Sequence, residues 1–331
     1  MQCSKKIKLM AVYTKINHSD ILSINKNFPI EKITSFVGIK KGIENTNYLL
    51  KTKNNKYILT IFEKRVANKD VPFFMKLMDL LNSKKINCPK PIKNLEDEYL
   101  IKIKGKLACI VTFLDGKDKK VLTTNNCYQV GMIIGKMHKI TNKFKIKREN
   151  SMGMKNMPKL LKSINFKKIK FAKNIKQNLE KTQIEINKKW PANLPQGIIH
   201  GDLFIDNIFF KKNKISGIID FYFASSEYYM YEVAICINAL CFDLKNNQFK
   251  INKHKINSLI KGYEKVRKFT SKEKRNLNIL CLGSAFRYLL TRLYDFSNTP
   301  KTALIKIKDP KEYYQKLLAH KQLKTFKDYL N

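Results

Sequence analysis

The sequence predicts an α+β chain in two lobes: a small antiparallel β lobe with one main helix, then a larger, mostly helical lobe holding one embedded β hairpin. Three observations predict it. Short apolar runs of β type crowd the first third of the chain, helical periodicity fills the remainder, and one apolar strand pair, from "GIIHGDLF" to "GIIDF", interrupts the helical part.

From about residue 10 to 112 the strands read as "KITSFVGI", "NYLLKT", "KYILTIFEK", "EYLIKIKGK" and "LACIVTFLDG". Turn signals such as "KTKNNK" and "LEDE" separate them, which suits hairpins. The one helix, "DVPFFMKLMDLLNSKK", has Asp70 as its expected N-cap and Pro72 in its first turn, where a missing N–H costs little. "CPKP" then stops the helix and returns the chain to an extended path. Residues 113–117, "FLDGK", read as the connection, and 118–331 as the larger lobe. Its helices are "NNCYQVGMIIGKMHKIT", a long polar amphipathic stretch from about 158 to 189, "YMYEVAICINALCFDL", "NKHKINSLIKGYEKV" and "KRNLNILCLGSAFRYLLTRLYDF".

A chain of 331 residues can bury a core in each lobe without disulfides or metals. Its seven cysteines include no C-x-x-C pair and read as reduced, small apolar residues of a cytoplasmic protein. No run approaches the roughly 18 apolar residues of a membrane span, so no membrane partner is expected. The net charge of +40 points on its face to polyanions. Only six of the 66 basic residues are Arg, however, and the Lys residues are spread along the chain, as compositional bias on solvated faces would leave them. No nucleic-acid partner is expected, although a basic surface would help an anionic substrate arrive.

The chemistry concentrates in "HGDLFIDN", residues 200–207. Phosphoryl transfer from a nucleotide needs a carboxylate to orient and deprotonate the attacking hydroxyl, and oxygen ligands for the magnesium that neutralises the phosphates. Asp202 supplies the first, Asn207 an amide oxygen five residues on, and Asp220, closing "ISGIIDF", a hard oxygen ligand at a strand end. His200 reads as a structural residue bracing the loop that carries Asp202, and Asp206 as a surface turn residue or a second acid. With a small sheet lobe ahead of it, this arrangement describes a two-lobed, protein-kinase-like fold.

"HGDLFIDNIFF" with "GIIDF" resembles the signature of the aminoglycoside phosphotransferase-like kinases, which phosphorylate hydroxyls of small molecules. Within that superfamily, "MAVYTKI", "FVGIKKGIENTNYLL", "KYILTIFEKRV", "VPFFMKLMDLL", "GIIDFYFAS" and "FRYLLTRLYDF" are similar to the bacterial homoserine kinases, from Met10 to nearly the end; residues 1–9 would be an extension. The resemblance implies ATP and Mg2+ as cofactors, with L-homoserine phosphorylated on its hydroxyl in threonine biosynthesis. It makes Asp202 the base and Asn207 and Asp220 the magnesium ligands. "GIKKGIENTN" becomes the phosphate-covering turn, with Gly38 and Gly42 allowing close approach and Asn45, Thr46 and Asn47 supplying donors, although alone it is only a hairpin. "VTFLDG" becomes the hinge, where backbone groups at Thr112 and Phe113 read adenine or Phe113 and Leu114 simply pack.

One departure stands out. Kinases of this architecture place a Lys on the third strand, where this chain has Thr60; Lys64 or Arg65 would have to reach in, unless both are solvated, and Asp79 is the candidate helix partner. For the substrate carboxylate the candidates are Arg287 and Arg292, which equally suit buried pairing between helices, with Tyr222 and Asn238 lining the pocket. The competing readings are a choline, ethanolamine or aminoglycoside kinase, and, from another class, a basic nucleic-acid-binding protein or pseudokinase.

Overall fold

The computed structural model describes residues 13–39, 45–63, 66–299 and 307–330. The chain divides into two compact units, 1–115 and 116–331.

Among the described residues, the first element of the first unit is a helix absent from the sequence reading, α1 (His18–Asn27). Its start is fixed by a capping box in which Asn17 and Asp20 satisfy each other's backbone N–H groups. Then follow β1 (Ser35–Ile39), β2 (Thr46–Lys51), β3 (Lys56–Ile61), α2 (Val71–Ser83), β4 (Pro91–Ile92), β5 (Leu100–Ile103) and β6 (Lys106–Thr112). All pairings are antiparallel, in the order β1-β2-β3-β6-β4 with β5 also on β6. Alternation along β2 buries Tyr48 and Leu50, and these join Leu59, Ile61 and Ile110 of the sheet in one core with Ile21 and Ile24 of α1. Asp70 stands at the N-cap of α2 without a capping hydrogen bond, because residues 68–70 already form a 3-10 turn; Pro72 does occupy the first turn.

The second unit contains α3 (Thr124–Thr141), α4 (Met157–Lys162), α5 (Ile175–Lys189), β7 (Gln196–Ile199), β8 (Ile208–Lys211), β9 (Lys214–Ile218), β10 (Ser225–Tyr228), α6 (Tyr229–Leu240), β11 (Phe242–Lys245), β12 (Gln248–Ile251), α7 (Lys253–Glu264), α8 (Ser271–Asn298) and α9 (Pro310–Gln322). The embedded hairpin is β8–β9, but it has company: β7 pairs with β10, and "CFDL", expected to extend α6, turns instead into the β11–β12 hairpin. The stretch read as one helix from 158 to 189 is broken into α4 and α5. Helix α6 is apolar on every side and accordingly buried along its length, Ala239 alone being half-exposed. Helices α3 and α7 touch through their backbones, since a Cβ on Gly131 would lie 2.0 Å from the Leu259 carbonyl oxygen and one on Gly262 2.0 Å from that of Tyr128. The six cysteines in the described residues are all buried and unbridged. No described helix is long and apolar enough to cross a membrane.

Candidate active site

Four hydrogen bonds close a ring around the 200–207 loop. The Asn207 amide nitrogen donates to the Asp202 carbonyl (2.9 Å), the Ile219 N–H to the Asn207 carbonyl (3.0 Å), His200 Nε2 to the Ile219 carbonyl (2.9 Å), and the Asp202 N–H to His200 Nδ1 (3.3 Å). Because Nε2 must donate and Nδ1 accept, His200 is neutral, and its full burial pushes its pKa down to about 4. The ring binds Asp202, Asn207 and the neighbour of Asp220 into one small frame. Asp220 itself stands in the left-handed region (φ 65°, ψ 60°), an uncommon conformation outside glycine that turns the chain sharply out of β9. Spending the Asn207 amide nitrogen on Asp202 leaves its Oδ1 as the group to offer a cation.

Long-range partners from α6 and α8 hold the loop. On α6 a single carboxylate oxygen, Glu232 Oε2, accepts the N–H of both His200 and Gly201, the latter at 3.1 Å. Burial pushes this carboxyl up to about 7, against the two N–H donors and Arg287, which pull it down. Gly201 is required here, with φ 78° and a would-be Cβ 2.8 Å from the Phe223 carbonyl oxygen. From α8, Arg287 Nη1 donates to the Gly201 carbonyl (3.0 Å), and the Tyr288 hydroxyl lies 3.1 Å from both that carbonyl and Asp202 Oδ1. Burial works against the Arg287 charge, but Tyr288, Tyr231 and Asp202 beside it outweigh that and hold its pKa up. Glu232 and Tyr288 escaped the sequence reading. The signal for Glu232 was its being the one charge in an apolar helix, since such a residue is buried only for a reason; Tyr288 had none beyond adjoining Arg287.

The other expected residues are placed as follows. Arg292 is bound on α9, to Glu312 Oε2 (2.6 Å) and the Asp309 carbonyl (3.0 Å), so it bridges helices. Asn238 is fully buried with both amide atoms committed, Nδ2 to the Ala234 and Cys281 carbonyls and Oδ1 to His320 Nε2 (3.0 Å), which leaves no group for a substrate. Tyr222 is half-buried in the turn after Asp220. Asp206 lies at the surface, 3.8 Å from Lys308 Nζ.

Within the first unit, Thr60 is buried and donates to Asn47 Oδ1 (2.8 Å) directly across the β2–β3 pair. Thr46 accepts the N–H groups of Tyr13 and Thr14 and donates to Glu63 (2.7 Å); Asn45 Oδ1 accepts the Glu63 N–H (3.3 Å). Glu63 is ion-paired with Lys106, a pairing the sequence did not suggest, and Lys106, Thr46 and Thr14 overcome burial to hold its pKa down. Asp79 accepts from the Tyr99 hydroxyl (2.8 Å). Gly38 lies in β1 opposite Tyr48. The N–H groups of Thr112 and Phe113 are spent on the Lys90 and Lys56 carbonyls. Gly42, Lys64, Arg65 and residues 1–9 lie outside the described residues.

Comparison with known proteins follows the same lines. Residues 35–269 match the model of the phosphotransferase enzyme family. The homoserine kinase of Chelativorans sp. (strain BNC1) is 38% identical over 97% of this chain and 98% of its own, and that of Rhizobium meliloti (strain 1021) 37% identical over 97% of each. The chain belongs to this phosphotransferase family, on its homoserine kinase branch. Solved kinases share the fold at low identity: amicoumacin kinase hAmiN has a TM-score of 0.70 at 13% identity (95% of this chain, 94% of that one), and spectinomycin phosphotransferase APH(9)-Ia 0.68 at 15% (94% and 100%). The fold is therefore the α+β kinase-like one.

Proposed function

We propose that this family member transfers the γ-phosphoryl group of ATP to the hydroxyl of L-homoserine, giving O-phospho-L-homoserine and ADP. The observation that carries the chemistry is the ring that ties Asp202 and Asn207 to the residue before Asp220. The homoserine assignment rests on relatives of that name matching nearly the whole chain. Asp202 accepts the hydroxyl proton as the oxygen bonds to the γ-phosphorus and the bond to the β-phosphate oxygen breaks. Tyr288 steers the Asp202 carboxylate by donating to Oδ1, and its buried phenol, pushed well up, stays protonated. Arg287 supplies a fixed positive charge beside Asp202, and that charge makes it the candidate partner of the substrate carboxylate.

Asn207 and Asp220 would hold magnesium. Two protein oxygens suit an ion that keeps waters and phosphate oxygens in its shell, and among the described residues no cluster of three or more His, Cys, Asp or Glu forms a closed cage. Magnesium, when bound, neutralises charge on the phosphates. Thr60, Asn45 and Asn47 remain the nucleotide-side candidates, joined by Gly38 and, through their carbonyls, Thr112 and Phe113; Thr46, fully buried with its hydroxyl proton given to Glu63, has no donor left to offer.

A coupled ADP assay with homoserine, serine, choline and an aminoglycoside side by side tests the reading. ADP release should require homoserine and magnesium and fall by about 10²- to 10⁴-fold in Asp202→Ala. Turnover driven by another alcohol would overturn the substrate, and turnover surviving Asp202→Ala would overturn the base.

A further inference from the structure

The Tyr288 hydroxyl has one proton and two acceptors at the same 3.1 Å, the Gly201 carbonyl and Asp202 Oδ1. A small displacement of its ring therefore decides which of the two it serves. Among the described residues, three aromatic or charged groups bear on that ring. Phe204 meets it edge-on, with centroids 4.9 Å apart at 82°; the Arg287 guanidinium lies 4.6 Å from its centroid; and the Tyr313 ring packs at 5.3 Å and 43°. Phe204 belongs to the 200–207 loop itself, and Arg287 is the preceding residue of α8. Tyr313 alone of the three comes from a separate element, α9.

Tyr313 is itself held on both sides. It is fully buried, with the Arg292 guanidinium 4.4 Å and the Lys316 ammonium 4.6 Å from its ring centroid. Glu312, the preceding residue of α9, accepts from both cations at 2.6 Å, and Lys316 also donates to the Asn238 carbonyl of α6 (2.7 Å). Burying two cations against one carboxylate is a costly way to fill space, and a leucine at 313 would fill it without them. What the arrangement yields is a ring with little freedom to move. The Tyr313 hydroxyl makes no hydrogen bond in the fold, so its ring rather than its oxygen carries the contact to Tyr288.

We infer that Tyr313 is a positioning residue for phosphoryl transfer: clamped by Arg292 and Lys316, its ring backs that of Tyr288 and so aims the Tyr288 hydroxyl at Asp202. The inference rests on Asp202 being the base. Steady-state kinetics and urea unfolding of the full chain test it. Tyr313→Leu should lower kcat by about 10- to 100-fold, the cost of a catalytic group held out of place, with KM for ATP unchanged. Tyr313→Met reads the same contact should Tyr313→Leu fail to fold. Tyr313→Phe keeps the ring and should restore kcat to within about threefold of the parent. Leu317→Ala, which removes another buried side chain of α9, should lower the urea midpoint as Tyr313→Leu does yet leave kcat within about twofold. Tyr288→Phe should lower kcat at least as far as Tyr313→Leu, and adding Tyr313→Leu to it should cost no more than about a further twofold, because the hydroxyl being aimed is already gone. Losses that multiply in the double variant overturn the inference, as does a Leu317→Ala loss equal to that of Tyr313→Leu. Asp202→Ala separates the two readings. Turnover surviving that substitution removes the base and the inference with it, whereas turnover lost there but kept in Tyr313→Leu and Tyr313→Met overturns the inference alone.

Discussion

Replacing Glu232 by alanine removes the one oxygen that accepts the N–H groups of His200 and Gly201. Both donors are buried, and at about 1–3 kcal/mol each the variant should lose about 2–6 kcal/mol of unfolding free energy. Released from α6, the loop no longer fixes Asp202, and a misplacement of about 1 Å costs about 100-fold in turnover. The carboxyl also predicts a pH dependence. Its pKa rises from an ordinary 4.5 to about 7 in the fold, so between those values the folded chain binds a proton that the unfolded chain releases. Stability contributed at Glu232 therefore falls as pH rises through that window and is level above it. At about 1.36 kcal/mol per pH unit the fall is about 3 kcal/mol. Glu232→Gln keeps an oxygen for the two donors but cannot ionise, so its stability relative to the parent chain should climb across the same window. Urea unfolding of the three proteins from about pH 5 to pH 8 measures this, with other titrations cancelling in the difference. An alanine variant within about 0.5 kcal/mol of the parent, or a glutamine variant whose difference ignores pH, refutes the bracing argument.

Arg292→Met breaks the pair with Glu312, which keeps Lys316 at 2.6 Å; about 1–3 kcal/mol of stability should go while KM for homoserine holds, and a tenfold rise in KM at unchanged stability would return Arg292 to the substrate site. Gly131→Ala should lower the thermal midpoint by the equivalent of about 1–3 kcal/mol or more, because α3 and α7 must part to admit the methyl; a midpoint equal to the parent's would mean the helices are not in backbone contact. Chelation by EDTA should abolish ADP release, and Asn207→Ala should raise the magnesium needed for half-maximal rate by at least about 10-fold, whereas an unchanged magnesium curve removes Asn207 from the metal.

What the sequence could reveal of this site follows from the reach of its contacts. Asp202, Asn207 and Asp220 fall within one short segment, and the bonds that gather them span 2 to 19 residues, so spacing alone announced them. The braces come from 31 residues away on α6 and 86 on α8, and no local pattern joins Glu232 or Arg287 to Gly201. The same limit applied in the sheet lobe, where the absence of a strand Lys at Thr60 was plain but the Lys106–Glu63 pair, 43 residues apart, was not. Element errors had a different cause. Helix α1 is too polar to show a periodic stripe and announces itself only through the Asn17–Asp20 cap, while "CFDL" continues the apolar texture of α6 across a break that the β11–β12 pairing imposes. Arg287 illustrates why residue type cannot substitute for that geometry. An Arg on an apolar helix satisfied both the substrate and the bridging reading; its bond to the Gly201 carbonyl places it against the loop, whereas Arg292, five residues on, faces α9 and Glu312. At 3.6 residues per turn, five positions amount to about 140° around the helix axis, so two arginines that look equivalent in the sequence serve opposite sides of α8.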